Sequence, residues 1–106
     1  MAMRSLEYRK ARTPAIFRVE FAVGEEVFPG TCRNISDSGI CAEFDQPLKL
    51  ATFGILTMFH PTHTLKVEAR IAHTERTLAG MTFIYDSPQQ RGTTTRFMAS
   101  LAMRTT

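Results

Sequence analysis

The chain has 106 residues, 43% hydrophobic and 22% charged, a size and balance that fit one compact globular domain and exclude a disordered protein. No apolar run approaches the roughly 20 residues a membrane-spanning helix needs, and Met1-Ala2-Met3-Arg4-Ser5-Leu6-Glu7 lacks the apolar core of a secretory signal, so a cytoplasmic protein without membrane insertion is expected. The net charge of +3 is gathered on residues 1–14, where Arg4, Arg9, Lys10 and Arg12 stand against Glu7 alone. Such an arm suits a phosphate-bearing ligand, a nucleic acid or an acidic partner, although a solvated tail would look the same. The absence of Trp, with eight Phe and two Tyr, argues against an extended aromatic stacking surface.

Past Pro14 the pattern takes period two. Phe17, Val19, Phe21 and Val23 fall on one face opposite Arg18 and Glu20, which predicts a half-buried strand over 15–23. Gly24-Glu25-Glu26 is the turn, and a second strand covers 27–34 with Pro29-Gly30 marking a bulge or an edge. Ser36-Asp37-Ser38-Gly39 is a turn leading into a third strand over 40–44, which Asp45-Gln46-Pro47 ends. The apolar run 53–59 predicts a buried fourth strand, followed by a turn at His60-Pro61-Thr62-His63. Leu65, Val67, Ala69 and Ile71 alternate with Lys66, Glu68, Arg70 and Ala72 as a fifth, and 78–85 is a sixth with Gly80 inside it. No crossover helix separates any pair, so an antiparallel sheet closed into a small barrel is expected. Ser87-Pro88-Gln89-Gln90 supplies a capping hydroxyl, a proline at the first helical position and a glutamine three residues after the serine. Phe97, Met98 and Leu101 then give a C-terminal helix one face to bury, through a weak middle at Gly92 and Thr93-Thr94-Thr95.

Two constellations can carry binding chemistry. In Tyr8-Arg9-Lys10-Ala11-Arg12, two guanidiniums three residues apart present planar forks that match a guanine edge or a phosphate and can stack on a purine. Pro14 keeps the approach to it extended. In Asn34-Ile35-Ser36-Asp37-Ser38-Gly39, the Asn amide offers both an acceptor and a donor, the Ser36 hydroxyl can bond the turn backbone or a ligand, and Gly39 permits positive φ or a close approach. Alone, the second pattern is also what a plain turn requires.

Together, in this order and ahead of a barrel that ends in a helix, they resemble the PilZ domain family. Its signature is R-x-x-x-R on an N-terminal arm and [D/N]-x-S-x-x-G about two strands later. Val67-Glu68-Ala69-Arg70-Ile71 and Ala79-Gly80-Met81-Thr82-Phe83 look like the family's later strands, so the likeness runs from about Arg9 to Leu101. The resemblance implies a mainly β fold, a six-stranded antiparallel β-barrel of PilZ-like split-barrel type with a C-terminal α-helix, comprising a basic arm at 1–14 and the barrel with its helix at 15–106. It implies a non-enzymatic receptor for the bacterial second messenger cyclic di-GMP, with no cofactor, no metal and no catalytic residues. Arg9 and Arg12 would meet guanine edges and phosphates, while Asn34, Ser36 and Gly39 would hold the other guanine. Tyr8, Lys10 and His73 are further candidates, His73 standing near a position where relatives often place a tryptophan or other large residue. Counting back four from Arg12 lands on Tyr8 rather than arginine, so Arg9 has to substitute and weaker binding than a full motif gives is expected. An unidentified downstream protein is the implied partner, with no DNA or RNA and a monomer or weak dimer. The alternative is a PilZ-like adaptor that has lost the nucleotide and acts through protein contacts in motility or secretion.

The remaining features have plain readings. His60 and His63 lack a third metal ligand and are expected on an exposed turn. Cys32 and Cys41 are expected to be reduced, small core residues on neighbouring strands. No nucleophile and base are set on a defined scaffold. A barrel binding single-stranded nucleic acid through its arm is opposed by the scarcity of aromatics.

Overall fold

Alternating apolar and polar residues become six strands: β1 (Thr13–Val23), β2 (Glu26–Ser36), β3 (Gly39–Phe44), β4 (Phe53–Phe59), β5 (Thr64–Glu75) and β6 (Leu78–Ile84). A helix, α1 (Pro88–Thr105), follows. The computed structural model describes residues 13–61 and 64–105. The strands close into an antiparallel barrel in the order β1-β2-β3-β6-β5-β4. Closure pairs every strand on both sides and so removes the open edges that invite aggregation.

The period-two reading holds at residue level. Val19 and Phe21 are fully buried, Phe17 and Val23 pack against them, and Ile16 is 71% exposed on the other face. Inward residues of the other strands complete the core, among them Cys32, Ile35, Ile40, Leu56, Met58, Val67 and Ile71. Each large apolar side chain so buried contributes about 1.5–3 kcal/mol relative to exposure. Pro29 pairs only with Glu20 of β1, because β3 begins its pairing with β2 at Gly30↔Phe44. β2 is therefore locally an edge there, where proline is tolerated. The bulges lie elsewhere: between Pro14 and Phe17, between Cys32 and Asn34, and between Ile71 and His73.

The strand limits shift from the expected ones for local reasons. β1 starts at Thr13, with Pro14 already opposite Asn34. β5 runs on to Glu75 and turns through Arg76 and Thr77, with Arg76 at φ 58°. A left-handed arginine costs about 1 kcal/mol or more. The turn is secured on β3, where Thr77 Oγ1 donates to Glu43 Oε2 at 3.0 Å and Thr77 O accepts from Phe44 N at 2.9 Å.

α1 closes one mouth of the barrel. Its start carries the expected serine cap, with Gln90 N donating to Ser87 Oγ at 3.2 Å, while Gln90 Oε1 accepts from Asp86 N at 2.7 Å, one residue before the cap. The threonines do not interrupt it, because the hydroxyls of Thr93, Thr94 and Thr95 donate to the carbonyls of Gln89, Gln90 and Arg91. Phe97 is 2% exposed and meets Phe17 and His60 edge-on, with ring centroids 5.9 and 5.8 Å away. His60 is thus buried beneath the helix rather than exposed on a turn; the apolar ring of Phe97 draws it inward. His63 and the side chain of Leu101 lie outside the described residues. No described helix is long and apolar enough to cross a membrane. The other mouth, lined by Phe21, Val23, Phe28, Leu48 and Ile71 among others, leaves a hollow of about 390 Å³.

Candidate functional site

The turn joining β2 to β3 is held from four directions. Ser36, fully buried, accepts at Oγ from Ser38 N at 3.2 Å, and its hydroxyl also meets Ser38 Oγ at 3.1 Å. Ser38 O accepts from Phe83 N at 2.9 Å. The Tyr85 hydroxyl donates to Asp37 O at 2.6 Å, and Arg91 on the first turns of α1 reaches Asp37 Oδ2 at 3.5 Å while lying over the Tyr85 ring. Burial pushes the Tyr85 phenol above its usual 10.0, against the lowering pull of Thr94 and Arg91 and with a small push from Asp37. Gly39 is required by space rather than by φ: a Cβ there would stand 2.0 Å from the Met81 carbonyl oxygen. The serine and glycine of this turn are thus spent on making the turn.

Beside the turn, four residues on four adjacent strands form one cross-strand row. Asn34 on β2 pairs with Cys41 on β3, Cys41 with Gly80 on β6, and Gly80 with His73 on β5. The row exists because of two bulges. The extra residue at Arg33–Asn34 and the one at Ala72–His73 each turn two successive side chains outward, and so bring Asn34 and His73 to the outer face. The Cys32 thiol donates to Asn34 O at 3.4 Å inside the first bulge. Between the polar ends, Cys41 and Gly80 are small, and the surface dips into a groove of about 340 Å³. Asn34, Cys41, Ala72, His73, Gly80, Met81 and Thr82 line it, with no carboxylate among them. A floor of small side chains flanked by an amide and an imidazole, with no carboxylate among the described lining residues, is chemically suited to a flat heterocycle carrying anionic groups.

The structure therefore brings Asn34 and His73 into one groove and sets Ser36 and Gly39 in the turn at its end. Arg9 and Arg12, with Tyr8 and Lys10, lie outside the described residues. The chain does enter the described structure next to the groove, since Pro14 stands opposite Asn34. Cys41 departs from expectation: Cys32 is a core residue, but Cys41 is half-buried on the outer face and lines the groove. Regular alternation from Ile40 put that side chain outward all along, so the signal was present in the sequence. Thr82 and Ala72 carried no signal of their own. Among the described residues, no group of His, Cys, Asp and Glu could hold a metal ion.

Comparison with known proteins agrees with this architecture. The family model for the PilZ domain matches residues 5–100. Among solved structures, the PilZ domain of CeSA from a cellulose-synthesizing bacterium superposes with a TM-score of 0.75 at 22% identity, covering 88% of this chain and 99% of that one. The PilZ domain of YcgR from Escherichia coli, solved with c-di-GMP, gives a TM-score of 0.81 at 11% identity, covering 92% of this chain and 94% of that one. At such identities the likeness is one of fold. No curated protein matches the chain by sequence.

Proposed function

This chain belongs to the PilZ domain family, and from that premise we propose that it is a non-enzymatic receptor for cyclic di-GMP, bound in the groove over Asn34, Cys41, Gly80 and His73. The observation that supports the reading is the start of β1 at the groove itself, directly after the basic sequence 1–12. Pro14 is paired with Asn34, so covalent connection alone keeps the Cα of Arg12 about 3.8 Å from that of Thr13, and the Cα of Arg9 within about 14 Å of it. Guanidiniums on so short a tether meet a nucleotide in the groove at high effective concentration. Asn34 supplies the amide for a guanine edge, and His73 supplies a ring for stacking. Ser36 and Gly39 act through the turn, which holds Asn34 and the start of β3 in register.

Ligand binding then changes the conformation of the arm through charge-assisted hydrogen bonds to the nucleotide. That change alters the surface offered to a downstream protein. Val27 and Ile55 are exposed on the part of the wall around β1, which the strand order sets opposite the β3–β6 groove. That wall suits a protein contact separate from the nucleotide. Calorimetric titration with cyclic di-GMP at moderate salt tests the receptor reading: saturable heat at micromolar ligand supports it, and no heat at high micromolar ligand refutes it in favour of an adaptor that works through protein contacts alone.

A further inference from the structure

We propose that Arg70 is a third arginine of the nucleotide site, a phosphate-binding guanidinium mounted on the barrel wall rather than on the arm. The proposal rests on the reading of the groove as the cyclic di-GMP site. Arg70 lies between the buried Ala69 and Ile71 and so points outward from β5. It stands directly opposite Thr82, which lines the groove, and two residues before Ala72, which lines it too. Side chains opposite one another in an antiparallel pair have Cβ atoms about 4.5–5.5 Å apart, well within the reach of an arginine stem.

Arg33 and Arg91, near the groove and the turn, are committed to carboxylates. Arg33, which shares the bulge with Asn34, holds Glu43 at 2.5 Å. Arg91 holds Asp37 at 3.5 Å and covers Tyr85. Arg70 forms no ion pair among the described residues, even though Glu68 lies two positions away on the same face. An exposed, uncommitted guanidinium beside a groove with no carboxylate among its described lining residues is placed to receive an anion. A cyclic dinucleotide brings two phosphodiester charges, and the arm meets them with Tyr8 where the family pattern has its first arginine. A guanidinium carried by a paired strand has its backbone fixed by the barrel before any ligand arrives.

The test is a calorimetric titration of the full chain with cyclic di-GMP, comparing wild type with Arg70→Ala, Arg70→Lys and Lys66→Ala, each checked by its Tm. Arg70→Ala is expected to weaken binding about tenfold or more, as loss of a hydrogen-bonded charge pair does. Arg70→Lys is expected to recover only part, because an ammonium lacks the planar fork. Lys66→Ala, on the same face of β5 four residues away, is expected to stay within twofold, with Tm unchanged in all three. Binding by Arg70→Ala within twofold of wild type overturns the role of Arg70 and leaves the receptor reading standing. An equal loss in Lys66→Ala also overturns it, by showing net charge rather than a local contact. A wild-type chain that does not bind removes the receptor reading and Arg70 with it.

Discussion

The imidazole of His73 lies against Gly80 from the neighbouring strand, with Cδ2 3.3 Å from where a Cβ on Gly80 would stand. The missing side chain is what leaves the middle of the Asn34–Cys41–Gly80–His73 row concave. Gly80→Val fills that hollow with a side chain that must also displace His73. Binding of cyclic di-GMP by titration is expected to fall at least tenfold, while Tm stays within a few degrees because valine suits a strand.

Gly39 answers to a different constraint. Since its Cβ would meet the Met81 carbonyl at 2.0 Å, Gly39→Ala forces β3 and β6 apart at the turn. Overpacking of this kind costs about 1–3 kcal/mol, so a Tm lowered by several degrees is expected in thermal unfolding, together with weaker nucleotide binding. An unchanged Tm would show that the strands separate without cost.

Tyr85 ties the turn to α1 through its bond to Asp37 O at 2.6 Å. Tyr85→Phe removes that bond and leaves a carbonyl to be satisfied by water, a loss of about 1 kcal/mol, readable in urea unfolding near neutral pH. Its pH dependence has a defined sign. Burial raises the folded-state pKa above 10.0, so the unfolded chain gives up this proton first. The stability linked to it is complete below pH 10.0 and is lost as pH rises through the raised folded value. The stability difference between wild type and Tyr85→Phe should therefore be flat below about pH 9 and shrink above pH 10.

Phe97 tests the separation between scaffold and site. It seals the mouth of the barrel with Phe17 and His60 and does not line the groove. Phe97→Ala is expected to cost about 3 kcal/mol in equilibrium unfolding and to leave nucleotide affinity, measured below the unfolding transition, within about threefold. A larger loss of affinity would show that α1 takes part in binding.

How much of this was legible in the sequence follows from the physics of each element. Strand existence was readable wherever one face is buried and the other wet, as in Phe17–Val23 and Leu65–Ile71, and the helix start was readable from its cap at Ser87. The groove was not. It depends on two bulges that turn Asn34 and His73 outward, and a bulge is one extra residue that leaves hydrophobic alternation nearly intact on either side. The turn at Arg76–Thr77 has no glycine or asparagine to announce it; its left-handed arginine is held by contacts from β3 that are distant in sequence. His60 looked like a turn residue because its burial comes from Phe97, 37 positions later in the chain. The Asn34–Gly39 motif was legible as a turn, while the division of labour within it was not. Only packing reveals that Ser36 and Gly39 shape the bend and that Asn34 faces the groove.

An NMR titration of the chain with cyclic di-GMP addresses the central claim most directly. Saturable shifts are predicted at the amides of Asn34, Cys41, Gly80 and His73 together with Arg12, with little change at Phe28 and Leu48 by the opposite mouth of the barrel. A spectrum that stays still at saturating nucleotide, or shifts gathered at Phe28 and Leu48 instead, would contradict a groove beside the arm as the place where the ligand is held.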